Sequence, residues 1–277
     1  MNPLELRRVV ETALGEDLGL AGDLTTAAVV AADATTVGRV VAREPGRVAG
    51  TDVLGAVFGL LDPRVEVMVD VADGEDVVAG QVVARVVGPT RPILTGERVA
   101  LNLLGRMCGI ATATAQVVAA VAGTDTVIAD TRKTTPGLRA LEKHAVRMGG
   151  GRNHRFGLDA AVMVKDNHVV AAGGIRQAVE AVRERVGHTV TIEVEVDTLA
   201  QLEELLEVGA DIVLLDNMDP ATLAEAVAMV DGRMVTEASG GVTSDTVRTV
   251  ADAGVDVISL GWLTHSAPAL DVALDLG

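Results

Sequence analysis

The sequence predicts an α/β chain in which a small α+β domain precedes a barrel or doubly wound sheet of alternating strands and helices. Three observations carry this. From about Asp125 onward, short β-branched runs alternate with helical stretches, the pattern of a largely parallel sheet. The runs TVIAD, AAVMVKD, TVTIEVEVD, ADIVLLDN, RMVTEAS and VDVISLG are nearly continuously apolar, as strands covered by helices on both faces are. Before Gly123 the texture changes to glycine-punctuated, hairpin-like strands. The six runs are two short of a complete eight-stranded barrel.

Taken in order, MNPLELRRVVETALGEDLG is an amphipathic helical pattern, unlike the charged stretch and apolar run of a secretory leader. TTVGRVVAREPGRVAG and VEVMVDVADGEDVVAGQVVARVVG read as strands flanking a helix, TDVLGAVFGLL. Part of the second resembles the hairpin of biotinyl and lipoyl carrier domains, a swinging-arm module. That reading needs a lysine at the hairpin tip, and residues 70–88 contain none. GERVALNLLGRMCGIATATAQVVAAVAG then reads as a long helix or helix pair leading into the second domain. No apolar run reaches membrane-spanning length without charge or glycine. The expected domains are residues 1–105, 106–265 and a terminal segment 266–277. In the last, ALDVALDL alternates like a strand that returns to the first domain.

Composition excludes several classes. A chain of 277 residues that is 49% hydrophobic can bury a large core. Its formal charge of -16 leaves no basic footprint for nucleic acid or anionic lipid. Aromatic residues make up 1%, so base-stacking platforms are not expected. Cys108 is the single cysteine, which rules out an internal disulfide and fits a reducing, cytoplasmic setting.

Against that acidic background, all three lysines, Lys133, Lys143 and Lys165, fall between Thr131 and His168. Five arginines and three lysines face Glu142, Asp159 and Asp166 there, a local balance of +5. Such an island suits a polyanionic small molecule, the alternative being a solvated basic face. Arg132 and Lys133 follow TVIAD and Lys165 ends AAVMVKD, positions that face a barrel's active-site mouth. The glycine-rich GGGRNHRFG between them lets His154 and Arg155 fold over a ligand. The stripe Arg139, Lys143, Arg147 lies opposite an apolar helix face and is expected at solvent or an interface.

Acids also end strands: Asp130, Glu195 or Asp197, Asp216 and Glu237. Glu193, Glu195 and Asp197 share one side of their strand, and charge turned into a barrel is costly unless it binds something. Glu195 with Asp216 suits ribose hydroxyls or a hydrated magnesium ion, the competing reading being solvated strand ends. EASGGVTSD and SLGWLTH place small residues between strand and helix, where exposed backbone N–H groups cradle phosphate. Ser239, Gly240, Gly241, Gly261 and His265 are the candidates, with ordinary turn glycines as the alternative.

Together, TRKTTPGLRALEKHAVRMGGGRNHRFGLDAAVMVKDNH, IEVEVDTLAQL, DIVLLDNM, EASGGV and GVDVISLGWLTHS closely resemble the quinolinate phosphoribosyltransferases, almost end to end. The resemblance implies an N-terminal α/β sandwich and an open, six-stranded TIM-like barrel. It implies reaction of quinolinate with phosphoribosyl pyrophosphate to give nicotinate mononucleotide, pyrophosphate and carbon dioxide, with Mg2+ as cofactor. By the same resemblance Arg98, Arg132, His154, Arg155 and Lys165 hold the quinolinate carboxylates. Lys133 neutralises phosphates, Glu195 and Asp216 serve ribose and metal, and the loops at Ser239 and Gly261 bind the 5'-phosphate. A homodimer with shared sites is implied, with Arg98 entering the neighbouring subunit and further assembly to hexamers left open. His144, Met148 and Arg152 depart from the commonest family pattern, and none is an expected ligand. A phosphoribosyltransferase-like relative associated with molybdenum transport is the alternative; the intact TRKT and GGGRNHR segments favour quinolinate.

Overall fold

The computed structural model describes residues 1–277, which divide into two compact units. In chain order the elements begin with α1 (Pro3–Leu18), α2 (Leu24–Val29), β1 (Thr35–Ala42), β2 (Gly46–Arg47), α3 (Asp52–Leu61), β3 (Glu66–Val69) and β4 (Asp76–Val77). They continue with β5 (Val82–Pro89), α4 (Thr90–Ala120), β6 (Val127–Ala129), α5 (Arg139–Met148), β7 (Val162–Val164), α6 (Asp166–Ala172), α7 (Ile175–Arg183) and β8 (Ile192–Val196). The last are α8 (Leu199–Val208), β9 (Ile212–Asp216), α9 (Pro220–Val230), β10 (Val235–Ser239), α10 (Val247–Asp252), β11 (Val257–Ser259), α11 (Trp262–His265) and β12 (Val272–Leu276).

The first unit comprises residues 1–115, 133–150 and 262–277, so it gathers later segments as well as the N-terminal stretch. Its antiparallel sheet has the order β12-β1-β5-β3, and β2 pairs with β4. The chain's end therefore adds an edge strand to β1, with Val40 opposite Leu274. Two glycines one helical turn apart make this return possible. A Cβ on Gly109 would overlap the Pro268 carbonyl, and one on Gly105 would lie 2.8 Å from the Leu270 oxygen. The Leu270 N–H instead donates to Gly105 O at 2.9 Å. α1 starts from an Asn2 cap with Pro3 in its first turn, and packs on α3, whose Leu54, Val57 and Phe58 are buried. α4 is a single 31-residue helix, long and apolar enough to cross a membrane, yet 61% of its most apolar window is buried within the protein.

The α5 stripe departs from expectation. Leu141 to Val146 are all buried, and Lys143 is only 1% exposed. Amphipathic spacing located the apolar face correctly, but α5 is enclosed on more sides than a surface helix, with α1 and α11 both against it.

The second unit, residues 116–132 and 151–261, holds six parallel strands in the order β6-β11-β10-β9-β8-β7. These are the six runs read from the sequence. β6 and β7 form the two edges and do not pair, so the barrel is open. Residues beside Arg152 cover the β6 edge: Arg152 N donates to Ile128 O at 2.8 Å, and Asp130 N donates to Arg152 O at 3.1 Å. Val194, Val196, Val213 and Leu215 are fully buried, which explains the continuous apolar runs. Thr198 with Gln201 caps α8, and Asp219 with Pro220 starts α9. These two helices thus start shortly after their strands end, and the strand C-termini form one rim.

Candidate active site

That rim collects charge from neighbouring strands. Lys165, just past β7, forms an ion pair with Glu195 of β8, whose side chain is 9% exposed. Glu195 is followed across the sheet by Asp216 at the end of β9. Burial raises the Asp216 pKa above its ordinary value; the Glu195 and Asp197 charges add to this, while Lys165 opposes it. Ser239 of β10 is in register with Asp216. Asn217, at φ 55°, donates to Asp216 and, from its backbone, to Ser239 O at 2.9 Å. Gly240 then requires glycine twice over: its φ is 92°, and a Cβ would collide with the Asn217 amide.

The expectation that Gly240 and Gly241 sit immediately before a helix is corrected. α10 begins only at Val247, because Thr243 N donates to Thr246 Oγ1 at 2.9 Å and makes an intervening turn. Backbone N–H groups at 240–241 belong to a left-handed loop rather than to a helix terminus. Gly261 does lie directly before α11.

One layer below the rim, the barrel interior holds His154, Glu193 and Glu237. His154 Nε2 lies 3.0 Å from Glu193 Oε2 and 3.6 Å from Glu237 Oε1, with all three donor atoms within 4.8 Å of one another. This spacing would suit a metal ion, but the tautomer argues otherwise. His154 Nδ1 accepts the Arg155 N–H at 2.7 Å, which leaves the ring proton on Nε2, facing the carboxylates. The cluster is therefore hydrogen-bonded. Burial, reinforced by the Glu193 charge, pushes the Glu237 carboxyl up to about 7, against the pull of His154, a Ser259 hydrogen bond and Lys165. Both ring nitrogens of His154 are thus engaged within the protein, a different arrangement from the carboxylate contact the resemblance implied. Asp130, read as a strand-end acid, is wholly buried and anchors the same loop by accepting from His154 N at 2.9 Å and Asn153 Nδ2 at 2.5 Å.

Arg155 donates to Ala161 O at 2.8 Å, and its pKa is lowered by burial and then by the Arg132 charge, while Glu193 opposes this. Two arginines crowded together in a partly desolvated place are poised for an anion. A cavity of about 300 Å³ opens beneath them, lined by Val127, Thr191, Ile212 and Val257 at the strands' N-terminal ends.

Known proteins share this fold. Residues 23–108 match the N-terminal domain and residues 110–275 the C-terminal domain of quinolinate phosphoribosyl transferase. The chain belongs to the quinolinate phosphoribosyltransferase family. It is 42% identical over 276 residues to the probable nicotinate-nucleotide pyrophosphorylase [carboxylating] of Bacillus subtilis (strain 168), covering 100% of this chain and 95% of that one. With the nicotinate-nucleotide pyrophosphorylase of Mycobacterium leprae it shares 45% over 277 residues, covering 98% and 96%. The crystal structure of NadC from Streptococcus pyogenes superposes with a TM-score of 0.96 at 38% identity, covering 100% and 98%.

Within this quinolinate phosphoribosyltransferase-family fold, three expected site residues belong to the first unit. Arg98 on α4 is 65% exposed, with Glu97 at 3.8 Å. Lys133 is exposed, and its carbonyl accepts from Thr264 Oγ1 at 2.9 Å. His265 Nδ1 lies 2.6 Å from Ser266 Oγ. The sequence reading missed a buried pair nearby in the same unit: Arg106 Nη2 donates to Glu142 Oε1 at 2.8 Å. An arginine inside the apolar stretch of α4 was the available signal.

Proposed function

We propose that the rim cations and carboxylates of this chain join quinolinate to phosphoribosyl pyrophosphate, releasing pyrophosphate and carbon dioxide and leaving nicotinate mononucleotide for NAD biosynthesis. The observation that carries this reading is the alternation Lys165, Glu195, Asp216, Ser239 along the ends of adjacent strands. Cations for a dicarboxylate, acids for a ribose and a small-residue loop for a phosphate stand in sequence.

In this reading Arg132, Arg155 and Lys165 hold the two carboxylates, the arginine forks donating paired hydrogen bonds. His154 accepts the Arg155 backbone N–H through Nδ1, tying down the loop that carries Arg155. Lys133 neutralises phosphate charge, and Ser239, Gly240, Gly241, Gly261 and His265 bind the 5'-phosphate. As the ring nitrogen attacks the anomeric carbon, pyrophosphate departs and charge separates. Residues already oriented before that event lower its cost. Loss of the 2-carboxylate leaves an electron pair next to a pyridinium, which nearby guanidinium groups favour.

The paired acids also fit Mg2+: Asp216 is held at a raised pKa partly by Glu195 and Asp197, so a divalent cation would relieve their repulsion. Glu195 and Asp216 would hold it, directly or through water, and it would supply charge neutralisation of the pyrophosphate. The partner is a second copy of this chain, with exposed Arg98 reaching the neighbour's site. The setting is cytoplasmic, in keeping with a lone Cys108 whose thiol burial pushes up to about 12.

The test is acceptor choice. Purified protein is assayed with phosphoribosyl pyrophosphate and quinolinate, nicotinate or nicotinamide. Leaving cations unpaired in a desolvated site costs several kcal/mol, so quinolinate should be preferred by about 10³-fold or more. Comparable turnover of nicotinate would overturn the reading.

A further inference from the structure

The Arg106–Glu142 pair, with its carboxylate buried and its guanidinium half-buried, has a geometry that a stabilising ion pair alone does not need. Glu142 is 0% exposed, and Arg106 grips its Oε1 through both Nε at 3.2 Å and Nη2 at 2.8 Å. The other carboxylate oxygen, Oε2, accepts the backbone N–H of Thr135 at 3.0 Å. Arg106 also donates to the backbone carbonyls of Thr264 and Ala267, and lies 3.4 Å from Thr135 Oγ1. Finally, Thr264 Oγ1 donates to the Lys133 carbonyl at 2.9 Å. One arginine on α4 and one glutamate on α5 thus hold two separate chain segments, 133–135 and 264–267, at their backbones. Lys133 and His265, both exposed, stand on those two segments.

We infer that Arg106, Glu142 and Thr264 are positioning residues for phosphoribosyl pyrophosphate, holding the backbone that carries Lys133 and His265 so that the phosphates meet a preformed pair of hydrogen-bonding side chains. This rests on the phosphate role of Lys133 and His265 proposed above. A charge inside the protein is costly, and evenly placed apolar side chains would pack α4 on α5 equally well. The arginine fork instead spends its donors on carbonyls of the 264–267 turn, and the carboxylate spends its second oxygen on a loop amide. Backbone groups in irregular segments have no ladder to satisfy them, so these bonds select one loop conformation. A long lysine side chain on a loose loop would pay its ordering cost on binding; on a fixed loop much of that cost is met on folding.

The mildest probe is Thr264→Val, which removes one hydroxyl from a fully buried position while leaving Arg106 and Glu142 intact. Calorimetric Kd values for phosphoribosyl pyrophosphate and for quinolinate, each titrated alone, are measured for wild type, Thr264→Val, Thr264→Ser, Lys133→Ala and the Lys133→Ala/Thr264→Val double variant. Thermal unfolding is followed alongside. Loss of one such hydrogen bond should raise the phosphoribosyl pyrophosphate Kd about 3- to 10-fold, with quinolinate Kd unchanged. Thr264→Ser, retaining the hydroxyl, should restore the wild-type Kd. In the Lys133→Ala background the Thr264→Val effect should shrink, since the lysine it positions is gone. Arg106→Lys, which keeps charge but not the fork, should show the same selective loss more strongly. An unchanged phosphoribosyl pyrophosphate Kd in Thr264→Val, or an equal rise with and without Lys133, would overturn the positioning role. A Lys133→Ala protein with unaltered phosphoribosyl pyrophosphate Kd would instead remove the reading on which it rests. Should Thr264→Val fail to fold, Thr264→Ala carries the same comparisons.

Discussion

At the residue scale the barrel interior converts burial into pH dependence. Glu237 lies two residues before Ser239 on the same side of β10, so its charge state is felt at the rim. Its folded pKa of about 7 stands above the ordinary 4.5, so the native state holds an extra proton between those values. Glu193, His154 and Lys165 are the charged or titratable groups acting on it. Quinolinate binding should weaken roughly 3- to 10-fold from pH 6 to pH 8, as one added negative charge opposes a dianion across a screened distance. Calorimetry across that range tests this, and Glu237→Gln should flatten the profile. By linkage, stability should fall as pH rises from 4.5 through 7, and Glu237→Gln should lose that slope too. Asp73 has the opposite sign. Burial raises its pKa, but this is outweighed by hydrogen bonds from His144, Thr51 and Gly50, and the result lies well below the ordinary 3.8. Its stabilisation is therefore present above 3.8 and lost as pH falls toward the folded value. Asp73→Ala should cost about 2–3 kcal/mol in urea unfolding at pH 7 and little at strongly acidic pH. Equal costs at both would contradict the assignment.

At the scale of elements, much was legible because period and burial agree. The six runs became β6 to β11, since parallel strands buried on both faces leave a continuous apolar signature that no other short element shares at that spacing. What the pattern could not carry was enclosure: nothing in the spacing of Arg139, Lys143 and Arg147 distinguishes a helix wetted on one face from α5, where Lys143 is buried. Nor could spacing give the turn that separates Gly241 from α10, which depends on one threonine hydroxyl meeting another residue's amide. Close approach is similarly silent until the partner is known. Gly109 reads as an ordinary helix glycine, for which alanine would normally add helix propensity. Here the segment at Pro268 lies against it, so Gly109→Ala should destabilise the protein by about 1–3 kcal/mol by overpacking. Denaturant unfolding checks this, with Gly15→Ala on α1, where an added Cβ meets nothing within 4 Å, as the tolerant control.

At the scale of the whole molecule, the candidate site was legible as chemistry but not as assembly. Lys165, Glu195, Asp216 and Ser239 could be placed from strand ends alone, because a β-strand's C-terminus is a position the sequence announces. Glu193, His154 and Glu237 could not be joined into one cluster by spacing, since the segment around Arg152 that brings His154 against the barrel's open edge has no strand-like pattern. Arg98 poses the remaining question. It is 65% exposed, with the adjacent Glu97 at 3.8 Å, so it is available to a second subunit. In a two-fold dimer each site would then draw on both chains. An Arg98→Ala chain and a Lys133→Ala chain should each be inactive alone. After subunit exchange, half of the dimers are hybrids under random one-to-one mixing. In each hybrid, the site of the Arg98→Ala chain keeps Lys133 and receives arginine from its partner, whereas the other site lacks its lysine. One site in two is restored in half the dimers, so about a quarter of wild-type activity should return. If Arg98 served its own chain, no intact site could form in any mixture. Mass spectrometry establishes that exchange has occurred, and a completed exchange without recovered activity would rule the shared site out.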